Sequence, residues 1–266
     1  MSLAPKILCI SISSSPGRFG TLVHNTGYHA LGLDYLYNSF KISDLRGAVQ
    51  GVRSLGIRGC SVSMPFKEEV LPYLDSLSGL ALEVGAVNTI VNTEGHLKGY
   101  NTDVSGVVET LRPYVSDLEE PVLLLGAGGV ARAIYQALHL LGLKKLTIAT
   151  RSPNKVKGFK GASIVAWEKR NQVRASILIH ATPIGMATTK DQLPIDSQKI
   201  SSFRLVMDLV VSPQDTPLIR ESKKQALLTI DGVEIALHQA YEQFFLYTRH
   251  TAPREAMAKA ARTLYG

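Results

Sequence analysis

Three kinds of residue in this chain could do chemistry. The first is glycine, in Gly126-Ala127-Gly128-Gly129-Val130-Ala131, between the apolar run Val122 to Leu125 and a stretch of helical period from Val130 to Leu141. Glycines at a strand-to-helix turn let backbone N–H groups approach a diphosphate, and the helix N-terminus adds partial positive charge. Ala131 occupies the last glycine position of the usual dinucleotide pattern. The flanking strand and helix nevertheless favour nucleotide binding over a plain turn. The second kind is cationic. A site for NAD places an acidic residue roughly 20 positions past the glycines. After the run Leu146 to Thr150 this chain offers Arg151 and Lys155 instead. That leaves an exposed basic loop or a fork for a 2′-phosphate, and the spacing favours NADP. A further cation, Lys67, stands in Ser61-Val62-Ser63-Met64-Pro65-Phe66-Lys67, where it opposes the dipole of a predicted helix. Function and plain solvation both account for it. The third kind is amide, hydroxyl and carboxylate, gathered in Gly85-Ala86-Val87-Asn88-Thr89 and Gly99-Tyr100-Asn101-Thr102-Asp103-Val104-Ser105-Gly106. Asn and Asp favour turns for local reasons, which explains one such cluster more easily than these two together with the Ser61–Lys67 stretch.

The elements that must position these residues alternate. Strands are predicted at Ile7 to Ile12, Tyr35 to Phe40 and Ile57 to Val62, and helices at Leu22 to Leu31, Asp44 to Leu55 and Lys67 to Leu77. Asn88 to Asn92 and Leu97 to Tyr100 flank Glu94-Gly95 as a hairpin. The same rhythm repeats after Val122, and the tail is helical over Ala236 to Tyr247 and Arg254 to Leu264. The fold class is therefore α/β with two domains, a first α/β domain and a Rossmann-type one. The boundaries fall at residues 1–103, completed by the C-terminal helices 236–266, and at 104–235. A cleft between the lobes would hold the chemistry.

The chain has 266 residues, 45% of them hydrophobic and 19% charged, which suits a globular protein with real cores. No apolar run approaches the ~20 residues that span a bilayer. The start, Met1 to Lys6, has no signal-peptide pattern, so a cytoplasmic location without membrane contact is expected. The net charge of +7 is scattered, without the aromatic-rich basic stripe of a nucleic-acid surface. Cys9 and Cys60 read as two reduced core thiols, and no Cys/His/Asp grouping has metal-ligand spacing. His180 and His238 read as structural histidines.

These motifs together resemble the shikimate dehydrogenase family, and most closely its divergent shikimate dehydrogenase-like branch. The resemblance runs over roughly residues 7–250, through S-V-S-M-P-F-K, G-A-V-N-T, G-Y-N-T-D-V-S-G, G-A-G-G-V-A-R-A, T-R-S-P-N-K and D-L-V-V-S-P-Q-D-T-P-L. It implies an NADP-linked interconversion of shikimate and 3-dehydroshikimate, with the first domain binding substrate and the second NADP. Lys67 and Asp103 match the catalytic pair. Ser63, Asn88 and Gln239 match residues that bind the substrate's hydroxyls, and Ser13, Thr21 or Arg18 are the candidates to meet its carboxylate. Gly126, Ala127, Gly128, Gly129, Val130, Ala131, Thr150, Arg151, Lys155, Thr182, Ile184, Gly185, Met186 and Gly232 are the implied cofactor contacts, with no metal. A monomer or homodimer is expected.

The chain also departs from the family. Counting back from His24-Asn25, Arg18 and Gly20 stand where the family carries two serines that grip the substrate carboxylate. Valine stands after Asp208-Leu209 where tyrosine is common, and Glu234 replaces a customary glycine. Alternatives are therefore a dehydrogenase of quinate or of another shikimate-like, for example aminated, substrate, or a catalytically weak NADP-binding regulator. A folate-linked methylene dehydrogenase fits the N-T-D motif less well.

Overall fold

The computed structural model describes residues 6–156 and 158–265. The elements begin with β1 (Ile7–Ser13), α1 (Phe19–Ala30), β2 (Tyr35–Lys41), α2 (Leu45–Ser54), β3 (Gly59–Val62), β4 (Ser76–Leu77), α3 (Gly79–Val84), β5 (Thr89–Thr93), β6 (His96–Tyr100) and α4 (Thr102–Leu111). They continue with β7 (Val122–Leu125), α5 (Gly129–Leu140), β8 (Leu146–Thr150), β9 (Ser163–Ala166), β10 (Ile177–His180), α6 (Ser197–Ile200), β11 (Leu205–Asp208) and α7 (Pro217–Lys224). The last are β12 (Leu228–Ile230), α8 (Gly232–Thr248) and α9 (Arg254–Tyr265). One structural unit comprises the chain up to Ser105 with Gln239–Leu264, and the other Gly106–His238.

In the first unit the strand order is β2-β1-β3-β5-β6-β4. β1 pairs in parallel with β2 and β3, whereas β5 runs antiparallel between β3 and β6. Successive side chains of a strand point to opposite faces, so β1 separates Ile10 and Ile12 from Cys9, Ser11 and Ser13. Ile10, Ile12, Cys60, Val62 and Ile90 share an apolar core with Leu45, Val49 and Val52 of α2. The opposite face is partly polar. Ser39, Ser11, Ser61 and Thr89 stand in register across four adjacent strands, a row of hydroxyls.

Aromatic rings fill the space beside that row. The His24 ring of α1 stacks on Tyr37 at 4.5 Å, and Tyr28 meets Phe244 of α8 at 5.2 Å. Burial lowers the pKa of His24 to about 4. The imidazole, enclosed by the rings of Tyr28, Tyr37 and Tyr247, is thus neutral in the native state. Because this value lies below the unfolded one, the stability it confers is complete above about pH 6.5 and is lost as the pH falls toward 4, by roughly 3 kcal/mol. Urea unfolding at neutral and acidic pH tests this: a His24→Phe variant should lose less stability on acidification than the wild type, and equal losses would refute it.

Gly59 of β3 is required by packing, since a Cβ there would overlap the buried ring of Tyr247. Gly59→Ala should cost roughly 1–3 kcal/mol of unfolding free energy. An unchanged denaturation midpoint would contradict this packing account. Cys9 and Cys60 are buried free thiols whose pKa values burial pushes up.

The segment from Lys67 to Leu77, expected to be helical, is a run of turns with a short 3-10 stretch at Leu71–Tyr73, followed by β4. Pro72 supplies the reason, because proline inside a helix removes a donor and its ring clashes with a preceding carbonyl. The second unit has the all-parallel order β12-β11-β10-β7-β8-β9. All four residues of β7 are at most 1% exposed, which is the burial on both faces that its apolar run predicts. No helix among the described residues is long and apolar enough to cross a membrane.

Candidate active site

In the first unit, Lys67, Asn88 and Asp103 meet although they come from three separate segments. The Lys67 carbonyl accepts the Val87 N–H at 2.7 Å, which brings the lysine beside the start of β5. The Asn88 carbonyl accepts the Val62 N–H at 2.8 Å, and its N–H donates to Tyr100 at 3.1 Å, so its backbone is clamped between β3 and β6. Asp103 lies in the first turn of α4, where a carboxylate is favoured by the helix dipole. The Asn101 side chain caps that turn, accepting the N–H groups of Asp103 at 3.1 Å and Val104 at 3.4 Å.

The side chains then join. Lys67 Nζ donates to Asp103 Oδ2 at 2.7 Å. Asn88 Nδ2 donates to Asp103 Oδ1 at 2.9 Å and to Thr102 Oγ1 at 3.0 Å. The Asp103 side chain is 6% exposed and that of Lys67 is 21% exposed, so the ammonium keeps an open side while the carboxylate is enclosed. This arrangement can hold a hydroxyl group and exchange a proton with it.

The other expected substrate contacts are placed less uniformly. Ser63 and Ser13 follow one another across paired strands, since the Ser63 N–H donates to the Ile12 carbonyl at 3.0 Å. Ser13 is buried and Ser63 exposed. Thr21 Oγ1 is bonded to Ser39 Oγ at 2.8 Å, within a hydroxyl group that includes Ser11. Gln239 is half-buried on α8. Arg18 is exposed and lines a cavity of about 690 Å³ with Thr21, Asn25 and Ser39.

In the second unit the strand order reverses direction between β7 and β10, the switch point at which ligands of parallel sheets bind. The residues there fit a dinucleotide. Gly126 has φ +109° and a Cβ on it would lie 2.7 Å from the Ala181 carbonyl oxygen, so only glycine serves. Beside Gly128 a Cβ would meet nothing within 4 Å, which leaves room for a phosphate to approach the backbone. Ala127 precedes it, and Gly129, Val130 and Ala131 open α5 with no side-chain cap and no acidic residue in the first turn. Their N–H groups are the unmet donors of a helix start, suited to an anion.

Thr150 ends β8, and exposed Arg151 follows it. The side chain of Lys155 lies outside the described residues. From β10, Thr182 Oγ1 binds His180 Nε2 at 2.6 Å and accepts the Ile184 N–H at 3.3 Å. The turn continues through Gly185, at φ +93°, to Met186. His180 itself is wholly buried between Thr182 and Asp208, with Nδ1 at 2.9 Å from the carboxylate. Gly232 begins α8 against the Val210 backbone, where a Cβ would overlap the Val210 carbonyl. Burial and the neighbouring Asp231 raise the pKa of Glu234.

A parallel sheet with a glycine turn at its switch point, in a chain that also carries a Lys–Asp–Asn cluster, defines a nucleotide-linked α/β oxidoreductase. Sequence comparison makes the class specific. Residues 9–90 match the shikimate dehydrogenase substrate binding domain, and residues 232–262 match the shikimate 5′-dehydrogenase C-terminal domain. The shikimate dehydrogenase-like protein of Haemophilus influenzae is 39% identical over 259 residues, covering 96% of this chain and 95% of the relative. Shikimate 5-dehydrogenase from Thermus thermophilus, solved with NADP(H) and shikimate, superposes with a TM-score of 0.86 at 30% identity, over 96% of this chain and 99% of that one. Quinate dehydrogenase from Corynebacterium glutamicum, solved with NAD, superposes with a TM-score of 0.90 at 27% identity, over 97% and 99%. The chain belongs to the shikimate dehydrogenase family.

Proposed function

We propose that this chain is an NADP-dependent dehydrogenase that interconverts shikimate and 3-dehydroshikimate, with Lys67 and Asp103 as the catalytic pair. The observation that carries the reading is the Lys67–Asp103 contact at 2.7 Å, braced by Asn88 at 2.9 Å. Oxidation of a secondary alcohol removes a hydride from carbon and a proton from oxygen. Bound NADP supplies the hydride acceptor. Lys67 Nζ as the neutral amine takes the hydroxyl proton in oxidation, becoming the ammonium, and the ammonium gives that proton back to the carbonyl oxygen in reduction. Asp103 holds the ammonium and the same hydroxyl in line. Asn88, Ser63 and Gln239 offer donors and acceptors suited to neighbouring hydroxyls, and Ser13, Thr21 or Arg18 would meet the carboxylate.

For the cofactor, the turn Gly126–Ala131 would hold the diphosphate, and Arg151 with Lys155 the 2′-phosphate. Thr150, Thr182, Ile184, Gly185, Met186 and Gly232 would line the remainder. We place the protein in the cytoplasm, as a monomer or homodimer acting on a small hydroxy acid. Incubation with 3-dehydroshikimate and NADPH deuterated at the transferable position tests the reaction itself. Shikimate carrying deuterium at the new carbinol carbon is expected; unlabelled or absent product would refute direct hydride transfer.

A second reading, action on quinate or an aminated relative, is favoured by one feature. Arg18 and Gly20 occupy the positions at which the family carries its two carboxylate-binding serines. The guanidinium of Arg18 can meet a carboxylate, but from a longer reach than a serine hydroxyl, which would seat a different ring.

A further inference from the structure

One turn after Gln239, α8 carries a second glutamine, Gln243. Gln243 is only 9% exposed and lies over the hydroxyl row of the first unit's sheet. Its Oε1 accepts the Ser61 hydroxyl at 3.1 Å, and its Nε2 donates to Thr89 Oγ1 at 2.9 Å. Ser61 and Thr89 are register partners on β3 and β5, so one amide spans two strands.

The direction of every following bond is then determined. Thr89 Oγ1 accepts from Gln243 and gives its own proton to Asn88 Oδ1 at 2.8 Å. The same oxygen accepts the Thr102 N–H at 2.8 Å. With these two donors and the Thr102 hydroxyl at 3.2 Å on Oδ1, the Asn88 amide is turned so that Nδ2 faces Asp103 Oδ1. At the other end, Tyr37 Oη donates to Ser61 Oγ at 2.8 Å. Tyr37, Ser61, Gln243, Thr89 and Asn88 thus form one unbroken file of donors ending on the Asp103 carboxylate. Bonds in series that terminate on a charge polarise one another, and an interruption is felt at the end of the file. An apolar side chain would fill the place of Gln243 without the cost of burying an amide.

We propose that Gln243 is a positioning residue for the Lys67–Asp103 pair, fixing the Asn88 amide through Thr89 and so the carboxylate that holds the lysine. The catalytic part of this inference rests on the reading of Lys67 and Asp103 given above. The part concerning Asn88 does not.

The test compares Gln243→Met, Thr89→Val and their double variant with the wild type. Each single change should lower kcat about ten- to thirtyfold, with KM for NADP unchanged. The double variant should be no worse than the poorer single one, because both cut the same file. Thr89→Ser, which restores the hydroxyl, should recover most of the loss seen in Thr89→Val. Gln243→Glu accepts from Ser61 but as a carboxylate cannot donate to Thr89, so it should reproduce the loss even if the methionine variant does not fold. A readout free of catalysis is hydrogen exchange of the Asn88 side-chain amide by NMR, expected to speed up at least about tenfold in Gln243→Met or Gln243→Glu. Losses that multiply in the double variant, or exchange at Asn88 that is unchanged, would overturn the inference. An inert wild type with faster Asn88 exchange in the variants would instead sink the shikimate reading and leave the positioning role standing.

Discussion

Replacing Lys67 by alanine is expected to lower kcat for shikimate oxidation by about 10³-fold, within the range that a positioned acid–base group contributes. The substitution removes the only side-chain nitrogen bonded to Asp103 Oδ2 among the described contacts and leaves Asn88 still bonded to Oδ1. The carboxylate therefore keeps one partner, and the Asn88 clamp between β3 and β6 is untouched. Loss of activity without loss of folding is the expected combination. The residues proposed to hold the cofactor lie in the second unit, so NADPH affinity, read by fluorescence titration, should stay within about twofold of the wild type. Turnover near the wild-type rate would remove Lys67 from the mechanism. A matching loss of NADPH affinity would mean that the substitution disturbs more than proton transfer.

The second large effect concerns the choice of cofactor. Arg151→Ala should reduce kcat/KM for NADP by about 10²-fold, the worth of a forked pair of charge-assisted hydrogen bonds. The corresponding value for NAD should change little, since no 2′-phosphate is then present to lose a partner. Arg151 is exposed at the end of β8, where a dinucleotide's adenosine ribose would lie, so its removal costs little packing. Parallel steady-state kinetics with the two nucleotides separate the outcomes. Equal losses for NADP and NAD would show that Arg151 acts on something other than the 2′-phosphate.

The parts of the fold written in local pattern were legible from the sequence. Val122–Leu125 followed by glycine and an alanine-rich helix can be read at sight, because burial on both faces demands a continuous apolar run. The hairpin of β5 and β6 announced itself through Glu94-Gly95. Asp44 marked the start of α2, where its side chain accepts the Gly47 N–H. The stretch after Met64-Pro65 misled because its composition is helical, while Pro72 breaks it in the middle. Lys67 consequently sits in turns rather than at a helix start, and the argument from an opposing helix dipole does not apply to it.

Within the site, Lys67, Asn88 and Asp103 carry motif signals, but nothing local states that they touch. Their meeting depends on the Val87–Lys67 backbone bond and on the cap that Asn101 gives α4. Gln243 was invisible for a different reason. It is followed by the apolar residues Phe244, Phe245 and Leu246, and its partners Ser61 and Thr89 lie more than 150 residues away in the chain. Its one sequence signal is an amide one helical turn past Gln239. The structural reading of His180 agrees with its burial, although its bond to Thr182 ties it to the turn expected to line the cofactor.

The most direct test of the account is NADP reduction by the purified protein, followed by absorbance, with shikimate, quinate and an aminated analogue as substrates and NAD run alongside. The account predicts turnover of shikimate with NADP, exceeding that with quinate or with NAD. Tight NADP binding without turnover of any of the three would contradict it and leave a nucleotide-binding protein whose Lys67–Asp103 pair serves another purpose.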